Sequence, residues 1–476
     1  MPLAYDDVHL IADPLYGYLR ITTPRDETEV TESDIIDDPW VQRLKRIHQL
    51  QSSWWVFPTA EHSRFVHSLG VMHLAGTLAT HVYPSLVEVL AREGAQPAPS
   101  RALAEETLRL AGLLHDVGHG PFSHFFDEQY LHPKWGLDHE QLGQRLIVQE
   151  LGAAVAALTR SPSGAFEPGG HVDPVHVAYL IRDDDSAAGG APAADVYVPR
   201  WVRLLRRALA GAVTVDNMDY VRRDAYMCGV SLGAVDVERL LYYTFCGEDG
   251  LTYHKRALGA LRAFLNARFY LYENIYFHRV GGAIDLHLRE IFADTMELVL
   301  PRSPLEDMDA YRKLTEWSLF EQVDGWMEEP GGTLRRRLAE EWQQIIHRNV
   351  KYHVVFEQSV ERRQIAPATR ELTRADFAAA IRRELPARLR EMPFEVDVAS
   401  QDPRPLNPLR GSKRLPVYDP VTGRVEDDLL SGIIDFIPAK AHIYRVYSVL
   451  RENERDLAEA ARAALGEVAP SSLTNL

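Results

Sequence analysis

Thiols are almost absent: only two cysteines, Cys228 and Cys246, occur in 476 residues. Two cannot build a disulfide framework, and they supply too few thiolates for a cysteine-based zinc finger. Long apolar runs are missing as well. No stretch of about 18 apolar residues appears, and the opening MPLAYDDVHLIADPLYG has no basic segment followed by an apolar one. Neither a membrane span nor a secretory signal is expected, and a soluble cytoplasmic protein is. Cations are in deficit, with 52 Lys+Arg against 68 Asp+Glu and a formal charge of −16 with histidine neutral. Nucleic acid binding draws on surplus cations, so it is not expected. Arg335-Arg336-Arg337 and Arg362-Arg363 are local basic patches, most simply read as solvated charge. No repeat at a fixed period is evident.

What remains is ordinary globular material, 46% hydrophobic and 25% charged, able to bury a large core. At about 150 residues per domain the length suits two or three domains, and two lobes are expected. Asp38-Pro39 reads as an N-cap followed by proline at the first helical position. Apolar residues recur at helical spacing from Arg64 to Ala91, and a second helix begins near Ala102, its stripe Leu103, Leu110, Ala111 and Leu114 running into His115-Asp116. Asp183–Asp195, DDDSAAGGAPAAD, reads as a surface loop. Helical periodicity dominates from Val202 to about Leu300. Beyond it, Tyr352–Phe356, Phe394–Val398 and Ile443–Val449 are rich in β-branched and aromatic residues, and an Ala-rich helix spans Glu452–Leu465. The fold class is mainly α, a helical core over 1–300 with a smaller C-terminal α+β lobe over 301–476.

Five histidines stand in suggestive company: His67 in Arg64-Phe65-Val66-His67, His115 and His119 in HDVGH, then His124 and His139. If the helix persists through Gly118, His115 and His119 share one face. Asp216, Tyr220 and Asp224 likewise stand at i, i+4 and i+8, a polar stripe among the apolar Val215, Met218, Val221 and Ala225. His67, His115, Asp116 and Asp216 form a mixed nitrogen and oxygen set that suits iron, manganese, zinc or nickel, with magnesium at a phosphate-bridged position. Taken singly, each histidine is more simply a core or surface residue.

The order His67, His115-Asp116, Asp216 resembles the H…HD…D signature of the HD-domain phosphohydrolases. FPTAEHSRFVHSLGV (57–71), LLHDVGHGPFSHFFD (113–127) and VDNMDYVRRDAYMCGV (215–230) are similar to the branch of that superfamily acting as dNTP triphosphohydrolases, which includes bacterial enzymes and a vertebrate one joining a sterile-alpha-motif to an HD domain. The similarity runs from about Tyr5 to Leu300 and thins beyond, with Asp309–Trp317 and His442–Val449 still alike.

The resemblance implies an HD-domain helical bundle that hydrolyses dNTPs to deoxynucleoside and tripolyphosphate. It places the metal ligands on His67, His115, Asp116 and Asp216, with Asp219 the rival to Asp216. Phosphate contacts fall on Arg64, His119, His124, His139, Tyr220 and Arg268, and deoxyribose contacts on Gln49, Asp224 and Tyr276, with Leu50 beside the base. Cleavage at the α-phosphorus expels an alkoxide that needs a proton. His124 is the candidate acid with Asp127 to orient or charge it, and His139 is the alternative donor. Asn217 stands where the animal enzyme has lysine, so one phosphate cation is absent or comes from elsewhere, with Arg223 a candidate. Residues of the family's regulatory nucleotide sites are partly kept: Asp37 and Gln42 match, while Lys45, His9 and Ala12 differ. A homo-oligomer, dimer or tetramer, is expected. The competing readings are an HD phosphohydrolase acting on another nucleotide and a nucleic-acid-binding protein with a vestigial site.

Overall fold

Proline and acidic caps start the helices where the sequence places them. Asp38 accepts the Trp40 N–H ahead of a helix over Pro39–Gln42, and Ser100 accepts the Leu103 N–H at the start of Arg101–Leu114. The structure, a computed structural model, describes residues 7–94, 97–182, 197–362, 372–401, 415–426 and 440–466. The segment Asp183–Asp195, expected as a loop, lies outside the described residues. The chain is mainly α, and it divides into two units that both draw residues from either side of residue 300.

The first unit comprises Met1–Ala267, Met296–Gln322 and Pro405–Leu430. Its axis is the 29-residue helix Arg64–Arg92, nearly all of one side buried, against which helices Arg101–Leu114 and Val215–Cys228 pack. Thr214 caps the latter through the Asn217 N–H, and Gly229 in the left-handed conformation ends it. An antiparallel hairpin, Val8–Asp13 with Gly17–Thr22, precedes them. A four-stranded sheet runs in the order Arg424–Glu426, Val417–Asp419, Gly250–His254, Thr244–Gly247, its middle pair parallel.

The second unit comprises Arg268–Thr295, Val323–Arg404 and Ser431–Leu476. The three apolar segments beyond residue 350 become strands His353–Arg362, Lys440–Ser448 and Glu395–Gln401, an antiparallel sheet in that order. Helices Arg374–Glu384 and Glu454–Gly466 supply Phe377, Ile381, Leu457 and Ala461 to a core with Phe356, Val396 and Val446 of the strands. Among the described residues no helix is long and apolar enough to cross a membrane.

Candidate active site

His67 lies on the first turn of the Arg64–Arg92 helix and is buried. Its Nδ1 sits 2.8 Å from Asp219 Oδ2, while Nε2 sits 3.1 Å from Asp216 Oδ1 and 3.9 Å from Asp116 Oδ2. The two aspartates three residues apart on the Val215–Cys228 helix thus meet opposite sides of one imidazole. Asp219 is held from behind: Arg223 donates from Nε and Nη2 at 2.8 and 2.9 Å, and the Tyr16 hydroxyl donates at 2.8 Å. Gly70 makes this possible, because a Cβ there would stand 2.0 Å from Asp219 Oδ1 and 2.4 Å from Arg223 Nη2. Glycine inside a helix costs about 1 kcal/mol, and here it opens the space through which the carboxylate reaches His67.

Arg223 is buried and also pairs with Asp13 at 2.9 Å. It is therefore committed to two carboxylates, which corrects the expectation that it replaces the missing phosphate cation. Burial pulls the His67 pKa down, but the Asp216 and Asp219 carboxylates outweigh it and push it up to about 10. Burial works against the charged Asp219 too, yet His67 and Arg223 bring its pKa to about 2.

The helix before His115 ends at Leu114. The conditional expectation of a shared helical face for His115 and His119 therefore fails, and the two imidazoles enter different groups. The turn is required by close approach: a Cβ on Gly118 would meet His139 O at 1.9 Å and Gly143 N at 2.5 Å. A bare Gly118 lets the helix His139–Arg145 in, and with it the His139 ring.

Among the described residues two groups of His and Asp side chains offer ligand atoms within 4.8 Å of one another. The first is His67, His115 and Asp116. His115 Nδ1 faces Gly112 O at 2.8 Å, which turns Nε2 toward Asp116 Oδ1 at 3.4 Å and Asp216 Oδ1 at 3.7 Å. That Nε2 is buried without a hydrogen-bond partner. The second group is His119, His124, Asp127 and His139. His119 and His139 stack at 3.7 Å between centroids and 11°, and His124 stands edge-on to both at 4.9 and 5.0 Å.

Asp127 pairs with His139 Nδ1. The hydrogen bond expected to tie it to His124 is thus made to His139, whose helix the Gly118 approach brings in. Burial lowers the His139 pKa, yet Asp127 raises it above the ordinary imidazole value on balance. Burial, Arg64 and His139 hold His119 well below that value. Enclosure by protein, with His139 and Arg64, lowers His124 to about 4, although it is the exposed member of the group and solvent softens the effect.

Arg64 joins the groups. Its Nη1 pairs with Asp116 and its Nε donates to Ser123 Oγ at 2.7 Å, one residue before His124. Burial disfavours the Asp116 charge, but Arg64 and the neighbouring imidazoles hold its pKa well below the carboxylate range. Of the residues in this unit that the resemblance assigns to sugar and base, Leu50 is buried and Gln49 Oε1 is buried without a hydrogen-bond partner. Asp224 is buried against His62 Nε2 at 2.9 Å, and Tyr220 is half-buried on the same helix. Arg268 and Tyr276 belong to the second unit, where Arg268 lies over the Tyr272 ring and Tyr272 packs edge-on to Tyr276 at 5.0 Å. Sequence reasoning gave no role to Tyr16, Asp13, His62, Gly70 or Ser123. Only His62, Gly70 and Ser123, inside the quoted strings, carried a usable signal.

Comparison with known proteins agrees with this geometry. Residues 64–220 match the HD domain family. The uncharacterized protein YwfO of Bacillus subtilis is 29% identical over 363 residues, covering 73% of this chain and 72% of its own. Deoxynucleoside triphosphate triphosphohydrolase SAMHD1 of Bos taurus is 28% identical over 348 residues, 65% of this chain and 53% of its own. The human SAMHD1 is 28% identical over 339 residues, 65% and 50% respectively. The match thus spans about half the length of the SAMHD1 relatives. A solved structure of a hypothetical protein from Aquifex aeolicus superposes with a TM-score of 0.64 at 24% identity, covering 96% of this chain and all of that one, a likeness of fold. An HD domain thus spans residues 64–220, in a chain similar to HD-domain dNTPases.

Proposed function

We propose that the chain hydrolyses deoxynucleoside triphosphates to deoxynucleoside and tripolyphosphate. One observation carries the reading: a His/Asp group suited to a divalent cation adjoins a histidine group suited to an anion, His119 Nε2 lying 3.4 Å from Asp116 Oδ1, with Arg64 paired to Asp116 and to Ser123 beside His124. The donor set fits a metal ion. His115 Nε2 is buried and lacks a hydrogen-bond partner, His67 Nε2 faces the same space, and the oxygens come from Asp116 and Asp216. Iron, manganese, zinc or nickel would be held there, and magnesium would travel with the triphosphate. Such an ion supplies positive charge that lowers the pKa of water from 15.7 toward about 7.

The residues of the chain do the rest. Arg64, His119 and Tyr220 bind the triphosphate, and a planar guanidinium can grip two oxygens at once. The leaving 5′ oxygen is an alkoxide and takes its proton from the His124 and His139 pair. Asp127 raises the affinity of His139 for the proton above the ordinary imidazole value, and the phosphate charge raises that of His124. Gln49, Leu50 and Asp224 take the deoxynucleoside. The working form is a homo-oligomer, dimer or tetramer, of the cytoplasm.

The test is to incubate the protein with each dNTP and NTP in water enriched in oxygen-18, with manganese, iron or magnesium, and to resolve the products. Deoxynucleoside and intact tripolyphosphate are expected, with the label in the tripolyphosphate. Stepwise release of single phosphates, or label in the nucleoside, would overturn the reading.

A further inference from the structure

Two successive residues before His124 adopt a conformation that side chains disfavour: Phe122 has φ of +61° and Ser123 of +55°. Neither is glycine, so the surroundings must hold both there. The Phe122 ring is buried between Trp55, stacked at 5.9 Å, and Phe320, edge-on at 6.1 Å. The Phe122 N–H donates to Glu316 Oε1 at 3.0 Å. Glu316 and Phe320 stand one turn apart on the helix Glu316–Gly325, so one helix face grips the strained turn by a hydrogen bond and by packing. Arg43 donates to His119 O at 2.8 Å and the Tyr311 hydroxyl to Gly118 O at 2.6 Å, which secures the preceding half of the loop.

Glu316 reaches further than these. It is fully buried. Its Oε1 also accepts the His48 N–H at 3.2 Å, and its Oε2 pairs with His48 Nδ1. His48 is stacked on Trp54 at 4.7 Å and leads directly into Gln49 and Leu50. Ser123 Oγ meets His48 O at 3.4 Å, closing the circuit from the other side. A carboxylate has enough lone pairs for all three donors.

We propose that Glu316 is a positioning residue: its buried carboxylate ties the turn that presents His124 to the His48–Leu50 segment that receives the deoxynucleoside, so that proton delivery and sugar selection are set together. The inference rests on the function proposed above. Glu316 touches no reacting atom; it acts through Phe122 and His48.

Glu316→Ala, Glu316→Gln and the parent protein are compared. In Glu316→Ala, kcat for dNTPs should fall about 10²-fold, the scale of a 1 Å misplacement, with KM within threefold and bound metal unchanged. The preference for dNTP over NTP should fall at least fivefold in kcat/KM. Glu316→Gln keeps an oxygen for the two backbone N–H groups and should retain kcat within a few-fold. A Glu316→Ala protein with parental kcat, or one altered in KM alone, overturns the proposal, as does a Gln variant as impaired as Ala. If Glu316→Ala does not fold, Glu316→Asp, whose carboxylate is withdrawn by one methylene, carries the same comparison. Amide exchange separates this proposal from the function it rests on: peptides covering 117–127 and 47–51 should exchange faster in Glu316→Ala while 64–75 is unchanged. A parent inert toward every dNTP sinks the reaction, whereas unaltered exchange in those two peptides sinks the positioning role.

Discussion

The two histidine groups of the first unit are built on opposite plans. Around His67 and His115 each imidazole is oriented from behind, His67 by Asp219 and His115 by the Gly112 carbonyl. Asp219 in turn is fixed by Arg223 and Tyr16. Outer partners of that kind select the ring nitrogen presented to a cation. In the other group His119 is fully buried with neither ring nitrogen hydrogen-bonded, its Nε2 standing 3.4 Å from Asp116 Oδ1, while His139 pairs with Asp127. Unsatisfied buried nitrogens cost stability. Under the proposed function a bound triphosphate would accept from the His119 N–H, so the imidazoles of the cation side are oriented by protein while part of the anion side awaits the substrate.

The comparison breaks most severely on the cation side. His115→Ala removes a nitrogen that no other residue replaces. Metal content by mass spectrometry should fall to background, and hydrolysis should fall roughly 10⁴-fold or more, the scale of losing a member of a catalytic unit. A variant that keeps its metal and its rate would place the cation elsewhere.

On the anion side the effect is smaller and depends on pH. Asp127→Asn should cut kcat about 10²- to 10³-fold, the range for a general acid. Because Asp127 raises the His139 pKa above its ordinary 6.5, the protonated form persists above that pH, and the rate declines as pH rises through the raised value. The variant should move this alkaline limb to lower pH in a kcat profile at saturating metal. The stability that the pair contributes is likewise present in full below 6.5 and lost as pH rises through the raised pKa. An unmoved limb would remove His139 from proton transfer.

Asp219→Asn tests the support behind His67 and should weaken metal affinity by about 10- to 100-fold. His67 is held protonated up to about 10, so an entering ion displaces a proton and binds tighter as pH rises, about tenfold per unit below that value. Titration in buffers of differing ionisation enthalpy would count the proton, and a count of zero would contradict it.

Local pattern explains what was legible in advance. The mainly α fold, the helices beginning at Arg64 and near Ala102, and the three C-terminal strands follow from periodicity over a few residues. That His67, His115, Asp116 and Asp216 come together was readable because the motif strings are short and dense in unusual residues. What was not legible is non-local. Asp127 chooses His139, twelve residues away, because Gly118 admits a helix, and no periodicity reports that. Tyr16 meets Asp219 across 203 positions, and Arg223 is spent on Asp13 and Asp219 although its sequence neighbours suggested a free cation. The break at Leu114 is tertiary too, since the stripe before it continues smoothly into His115.

Tyr16→Phe is the gentlest way to sharpen the comparison. It removes one hydroxyl from the hairpin turn between Val8–Asp13 and Gly17–Thr22 and keeps the ring that packs on His73 at 5.1 Å. Asp219 would retain Arg223 and His67, so the carboxylate stays charged and in place, with one donor fewer. A hydrogen bond to a charged group contributes about 1.5–3 kcal/mol, but two remaining partners absorb part of that loss. Metal affinity should therefore fall only a few-fold, less than for Asp219→Asn. The alkaline limb set by Asp127 and His139 should not move, because Tyr16 touches only the cation side. A shift of that limb would show that the two groups titrate as one.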